Sequence, residues 1–190
     1  MDRSIFIGYD GREAETFAIC RHTLRKFAPD VPIRAISLEE MRNAGMYWRP
    51  TSRDDGGRLF DDISGFPMAT EFAISRFLTP VLAKASGYTG WALFMDSDIL
   101  ARDDIDELFA ECDPAMAVMC VKHNHVVEDG SIKMDGQIQN RYGRKNWSSV
   151  SAYNLAHPSN RKLTVQLINS VPGRDLHAFC WLDDAEIGAL

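Results

Sequence analysis

The chain opens on an apolar run, Ile5-Phe6-Ile7, that passes through Gly8 and Tyr9 to Asp10. A short apolar stretch ending in Gly and Asp reads as a buried strand followed by a functional loop. From Glu13 to Phe27 the period changes. Phe17, Ala18, Leu24 and Ala28 recur at helical spacing, and Pro29 and Pro32 stop the helix. Ile33 to Leu38 reads as a second strand. This strand–helix–strand opening predicts an α/β fold, with a mostly parallel central sheet flanked by helices.

Residues 44–67 break the pattern. Gly45, Pro50, Gly56, Gly57, Gly65 and Pro67 punctuate a polar stretch that carries Arg49, Arg53, Asp54, Asp55 and Arg58. So long a stretch without periodicity predicts a loop, and the expectation is a mobile flap that orders over a ligand. Helix returns over Ala69 to Ser86, interrupted at Pro80, where Thr79 is a candidate cap. Trp91 to Met95 is the clearest central strand and runs into Asp96-Ser97-Asp98. A helix near Asp104 to Glu111, a strand Met116 to Val121 and a hairpin about Asp129-Gly130 within Val126 to Gln139 follow. A strand Val150 to Leu155 and a helix Ser159 to Val171 come after them.

With 190 residues the chain suits one domain spanning 1–190 with its own core. A net charge of −6 argues against a nucleic-acid partner recognised through a basic surface. The four cysteines, Cys20, Cys112, Cys120 and Cys180, form no CxxC pair and read as reduced, mostly buried thiols. No stretch approaches the roughly 20 apolar residues of a membrane span, and no signal-peptide core is visible. A cytoplasmic protein, or one peripheral to a membrane, is expected.

Asp96-Ser97-Asp98 carries the chemistry. On an extended chain residues i and i+2 point the same way, so the two carboxylates share a side and Ser97 takes the other. Two such carboxylates raise one another's pKa unless a cation satisfies both. Hard oxygen donors favour Mn²⁺ or Mg²⁺, which pair readily with substrate phosphates. The carboxyl ends of strands are where open α/β sheets bind ligands. The alternative is a surface turn or helix cap, which is the expected role of Asp103 and Asp104 at the next helix.

Five segments together resemble the family 8 glycosyltransferases. They are Phe6-Ile7-Gly8-Tyr9-Asp10, Ile74-Ser75-Arg76-Phe77-Leu78-Thr79-Pro80, Leu93-Phe94-Met95-Asp96-Ser97-Asp98, Lys145-Asn146-Trp147-Ser148-Ser149-Val150, and Trp181-Leu182-Asp183-Asp184-Ala185-Glu186-Ile187-Gly188. They occur in the family's order over nearly the whole chain. The resemblance implies a GT-A-type nucleotide-sugar-binding fold and transfer of a hexose, with retention, from a UDP-sugar to a carbohydrate or glycolipid acceptor. It implies Mn²⁺ (or Mg²⁺) held by Asp96 and Asp98. Tyr9 and Asp10 would contact the nucleotide, Arg76 would face the donor, and Ser97, Ser148 and Ser149 would complete the binding set. Asp183 and Asp184 stand where the family has Asp-Gln beside the anomeric carbon, which makes them the candidate catalytic pair.

The residues leave alternatives open. Asp10 alone reads equally as a turn residue, and Arg76 falls off the Ile74, Phe77, Leu78 and Val81 side of a helical wheel, as a solvated arginine would. Asp183 also suits the N-cap of a helix to Leu190. Trp147, Ser148 and Ser149 offer a platform and hydroxyls for a sugar, or simple packing. Lys122 and His123 end the Met116–Val121 strand, at an edge where phosphate or acceptor would lie. His125 completes an HxH, with no third ligand nearby to make it a metal site. The family's third metal ligand is a later histidine with no counterpart before Leu190, so the expectation is a segment missing at the C-terminus and an exposed metal site. Homo-oligomerisation is a further expectation, and a non-catalytic nucleotide-sugar binder and a haloacid-dehalogenase-like phosphatase are the competing functions. The last needs a nucleophilic Asp on the first strand and Thr or Val where Leu100 stands.

Overall fold

A computed structural model describes residues 2–122, 144 and 147–190. Strand β1 (Arg3–Tyr9) leads through a 3-10 turn, Gly11–Glu13, into helix α1 (Ala14–Phe27), then β2 (Ile33–Ser37) and α2 (Leu38–Asn43). Three short strands follow: β3 (Thr51–Arg53), β4 (Leu59–Asp61) and β5 (Phe66–Pro67). A 3-10 turn at Ser75–Leu78 runs into α3 (Thr79–Ala85), then β6 (Trp91–Met95), α4 (Ile105–Ala110) and β7 (Val118–Cys120). The chain ends with β8 (Val150–Asn154), a 3-10 turn Pro158–Arg161, α5 (Val165–Ile168), α6 (Gly173–His177), a 3-10 turn Asp184–Glu186 and β9 (Ile187–Ala189).

The main sheet has six strands in the order β2-β1-β6-β8-β7-β9. Its β1–β2, β1–β6 and β7–β9 pairings are parallel, and β8 runs antiparallel to both neighbours. The sheet is therefore mixed rather than mostly parallel. The parallel expectation holds for the first half, where helices supply the crossovers, and fails at β8.

Both faces are covered, which explains the unbroken apolar strands. Phe6, Ala92, Phe94 and Tyr153 face a core built with the 72–83 and 155–182 segments. Ile5, Ile7, Trp91, Leu93 and Met95 face a second core beneath α1 and α4, with Cys20, Leu24 and Phe109. On α1 the buried positions are Cys20 and Leu24, while Ala18 is exposed. Cys20, Cys112 and Cys120 are buried free thiols and Cys180 is exposed. Among the described residues no helix is long and apolar enough to cross a membrane.

Residues 44–67 are not the predicted loop. They fold into a three-stranded antiparallel sheet, β3-β4-β5. Arg49, one per cent exposed, anchors it. Its Nε donates to Asp61 Oδ1 (2.8 Å), Nη2 pairs with Asp61 Oδ2, and Nη1 donates to the carbonyls of Ile168 and Val171 (2.7 Å each). Asn169 Oδ1 accepts from the amides of Trp48 and Arg49. These bonds tie the small sheet to α5 across some 120 residues, and they replace the expected flap with a pinned element.

Other boundaries moved. The Ser159–Val171 helix is a 3-10 turn and a short α5. The Ala69–Ser86 helix forms only from Thr79, and Thr79 Oγ1 donates to the Arg76 carbonyl instead of capping. Asp104 does cap α4, accepting from the Asp106 amide. The predicted 126–139 hairpin lies outside the described residues.

Gly8, the penultimate residue of β1, has a steric cause. A Cβ there would overlap the ring of Phe72, which packs on Phe94. Gly8→Ala should therefore destabilise the fold by about 1–3 kcal/mol, the cost of overpacking a filled core. Urea unfolding followed by circular dichroism measures this, and an unchanged midpoint would show that Phe72 moves away freely.

Candidate functional site

The sheet register collects the candidate residues. Met95 lies opposite Val150 and beside Ile7, so the chain beyond β6, the end of β1 and the start of β8 meet at one edge. The Asp96 amide donates to the Ser149 carbonyl at 2.9 Å, closing that edge. Cys120 pairs with Ser151, which places Lys122 at the same edge.

Asp96 is the electrostatic centre. Its Oδ1 lies 2.8 Å from Arg76 Nη1. That approach lacks hydrogen-bond geometry, so Asp96 Oδ1 and Arg76 Nε are both buried without a hydrogen-bond partner. Burial pushes the Asp96 carboxyl above the ordinary aspartate value. Arg76 and a Ser149 hydrogen bond oppose the rise, while the charges of Asp98 and Glu13 reinforce it. The arginine alone does not satisfy this carboxylate.

Arg76 is not the solvated arginine of the helical wheel. It sits in the 3-10 turn Ser75–Leu78, where all four residues are buried, so a 100° wheel does not apply. Its guanidinium rests on the rings of Phe72 and Phe94, 5.3 and 5.1 Å away, and Nη1 donates to the Ser148 carbonyl at 3.1 Å. Stacking on two aromatic faces makes a buried guanidinium tolerable.

Asp96 to Ile99 forms a turn, with the Ile99 amide donating to the Asp96 carbonyl at 3.3 Å. The extended geometry assumed for the two carboxylates therefore stops at Met95. Asp98 is exposed, and Ser97 is buried with its Oγ donating to Glu13 Oε2 at 3.1 Å. Ser97 thus works inward, tying the turn to the start of α1. Glu13 escaped the sequence reading because nothing local marks an acidic residue in a first turn as anything but a helix-dipole partner.

Asp10 is wholly buried and its carboxylate is engaged. Oδ1 accepts from Arg12 N and Nε, and Oδ2 from Arg12 Nη2 (2.6 Å) and the Glu71 amide (3.0 Å). Burial raises its pKa, but these bonds outweigh it and hold the carboxyl below the usual value. The turn reading therefore describes Asp10 better than nucleotide contact. Tyr9, partly exposed, packs edge-on against Phe17.

Ser148 and Ser149 lie at the same edge as Asp96, their carbonyls accepting from Arg76 Nη1 and from the Asp96 amide. Ser148 Oγ lies 2.7 Å from His177 Nδ1, and His177 packs edge-on against Phe77 beneath Arg76. His177 carries no motif of its own in the sequence. No signal short of the fold places it against residues 29 positions earlier.

Asp183 and Asp184 are brought elsewhere. Arg144 Nε donates to Asp184 Oδ1 at 2.9 Å, and Arg144 Nη1 reaches the carbonyls of Ala178, Phe179 and Leu182. The Asp184 side chain is 91% exposed. No described bond links either aspartate with Asp96. The expected helix from Asp183 to Leu190 is a single 3-10 turn followed by β9, with the Asp183 amide donating to Glu186 Oε2. Lys122 Nζ donates to the Ile187 carbonyl at 2.6 Å and lies over the Trp147 ring, so its ammonium is committed to β9. His123, His125, Lys145 and Asn146 lie outside the described residues.

The donor set suits a hard divalent cation in part. Asp96 Oδ1, buried and ion-paired with Arg76 but without a hydrogen bond, and the exposed carboxylate of Asp98 would offer two oxygen donors at a strand end. Among the described residues no three His, Cys, Asp or Glu side chains converge as a closed metal site. That leaves the remaining positions to phosphate and water, as Mg²⁺ and Mn²⁺ commonly have them.

No family model matches the sequence. Protein CDI of Arabidopsis thaliana is 42% identical over 187 residues, which cover 98% of this chain and 66% of that protein. The chain thus spans just under two thirds of that relative. Among solved structures, the glycosyltransferase GlyE of Streptococcus pneumoniae TIGR4 superposes over the whole chain and 45% of its own, with a TM-score of 0.55 at 15% identity. A glycosyltransferase involved in glycosylating the major capsid of PBCV-1 superposes over the whole chain and 82% of its own, with a TM-score of 0.55 at 9% identity. At such identities the likeness establishes the fold, which is that of glycosyltransferases.

Proposed function

We propose that the chain is a glycosyltransferase unit that binds a nucleoside-diphosphate sugar, with UDP as the nucleotide, at the edge formed by Asp96, Asp98, Arg76, Ser148 and Ser149. The observation that carries this reading is the buried Asp96 carboxylate, whose Oδ1 is ion-paired with Arg76 but makes no hydrogen bond, beside exposed Asp98, in a glycosyltransferase fold. The residues would hold Mn²⁺ or Mg²⁺ through Asp96 and Asp98. When bound, that ion supplies Lewis-acid neutralisation of the departing diphosphate.

The chain's own residues account for the rest. Arg76, fixed by two rings and the Ser148 carbonyl, presents positive charge beside Asp96 without needing to reorganise. Ser148, its hydroxyl held by His177, and Ser149, bonded to Asp96, fix the edge at the start of β8. Transfer of a hexose with retention, and the family 8 assignment, rest on the five ordered motifs. Asp184 must leave Arg144 before it can face a sugar. That pairing favours a second reading, nucleotide-sugar binding without turnover.

Calorimetric titration with UDP, in Mn²⁺ and separately in EDTA, tests the site. Binding should be markedly tighter with Mn²⁺. Equal affinity in the two buffers would refute the metal-assisted reading. Sugar transfer measured on the same protein separates catalysis from binding alone.

A further inference from the structure

A cleft of about 390 Å³ lies outside the Asp96 edge, between α2 and the outer strand of the small sheet. Its volume is within the usual range for small-molecule sites. Arg42 and Asn43 on α2 form one wall, Ser52 and Arg53 on β3 the other, with Glu39 and Glu71 at the borders.

The lining is braced on one side and open on the other. Arg42 Nη2 donates to Thr51 Oγ1 at 2.6 Å, and its guanidinium lies 5.7 Å from the Tyr47 ring. Arg53 Nη1 donates to the Gly57 carbonyl at 2.8 Å, and Nη2 stands 3.7 Å from Glu71 Oε1. Both forks are held in place with donors to spare. The side chains of Glu39 and Asn43 are exposed and carry no hydrogen bond among the described residues.

The chemistry selects a ligand class. Two arginines face two glutamates, so the cleft has no net charge to attract a phosphate. No aromatic ring lines it, which removes the stacking plate that a nucleobase would use. What remains is an interleaved set of planar donors and acceptors, over a floor supplied by Leu38 and Leu59. Vicinal hydroxyls both take and give hydrogen bonds, and a pyranose C–H face suits the leucines.

The cleft also borders the loop that follows β1. Glu71, which borders it, donates its amide to Asp10 Oδ2, and Arg12 Nη2 donates to the Ala69 carbonyl. We propose that this cleft is a binding site for a neutral saccharide, separate from the Asp96 edge.

The test is amide chemical-shift mapping of the labelled protein with lactose and with maltose, and separately with UDP and Mn²⁺. A saturable shift at amides 39–43 and 51–53 with either disaccharide is the expected result. Arg53→Ala and Asn43→Ala, both at exposed positions, should each weaken it about tenfold, the effect of losing roughly 1.4 kcal/mol. No saturable shift with either disaccharide overturns the proposal, as do shifts confined to the Asp96 edge. Shifts of the cleft amides by UDP overturn it too, by making the cleft a nucleotide pocket. Saccharide binding here without UDP binding at the Asp96 edge would sink the donor reading and leave the cleft standing.

Discussion

Arg49→Met should cost the fold about 3–5 kcal/mol, the usual penalty for removing one partner of a buried ion pair. Arg49 and Asp61 are both almost fully buried, and Asp61 also accepts from the Ser64 amide at 3.0 Å. Without the guanidinium, the Asp61 carboxylate and the Ile168 and Val171 carbonyls lose their donors together. Burial raises the Asp61 pKa, but Arg49 and Ser64 outweigh it and hold the carboxyl below its ordinary value. The sign follows. In the wild type this stability is present above the ordinary aspartate pKa of about 3.9 and fades as pH falls through the lower folded value. In the variant the stranded carboxylate gains from protonation instead. The gap between the two proteins should therefore be widest near neutral pH and narrow in acid. Chemical denaturation from neutral pH downward measures it. A gap that stays constant with pH would show that packing, rather than charge, makes Arg49 matter. Adding Asp61→Leu to the variant should recover part of the loss.

That ion pair also shows where the sequence stopped being readable. Strands β1 and β6 were legible to within a residue or so, because a strand buried on both faces leaves a largely apolar run, and β2 and β8 were placed as closely despite the polar positions they carry. The small sheet was not. Its strands have two or three residues each, too short for periodicity, and its stability comes from Arg49 reaching α5 far along the chain. A Gly- and charge-rich stretch looks the same whether it is a loop or a sheet pinned from a distance. The mixed sheet was hidden for a related reason, since an apolar strand does not state its direction.

At the site, Asp96 was legible because a strand pointed at it. Arg76 was legible only by resemblance, since its burial depends on a 3-10 turn that helical periodicity misreads. Asp183 and Asp184 were placed by motif, and the fold gives Asp184 to Arg144, a residue inconspicuous in sequence. Local pattern located the sheet edge. Long-range partners decided which side chains were free to act there.

Asp98→Ala should abolish the stabilisation that Mn²⁺ and UDP confer while leaving the free protein within about 0.5 kcal/mol of wild type, as is usual for an exposed position. Asp98 is exposed and makes no hydrogen bond or ion pair among the described residues, so its loss breaks no bond of Arg76 or Asp96 and removes only a like charge that helps raise the Asp96 carboxyl. The wild type, at ligand one hundred times above the dissociation constant, should gain about 2.7 kcal/mol. Asp96→Ala is a poorer probe, because it strips the buried guanidinium of its counter-charge. The pH dependence adds a second reading through Asp96, whose carboxyl is raised chiefly by burial. A raised acid is protonated more readily in the fold than in the unfolded chain. Its contribution to stability thus falls as pH rises from the ordinary value through the folded one, and a standing cost remains above. A cation competes with that proton. Mn²⁺ affinity should weaken as pH drops through this raised range, and binding there should release a proton. Calorimetry in buffers of different ionisation enthalpy detects that release. If Asp98→Ala keeps the full Mn²⁺-dependent gain, the cation is held elsewhere and the two aspartates of this turn are not its ligands.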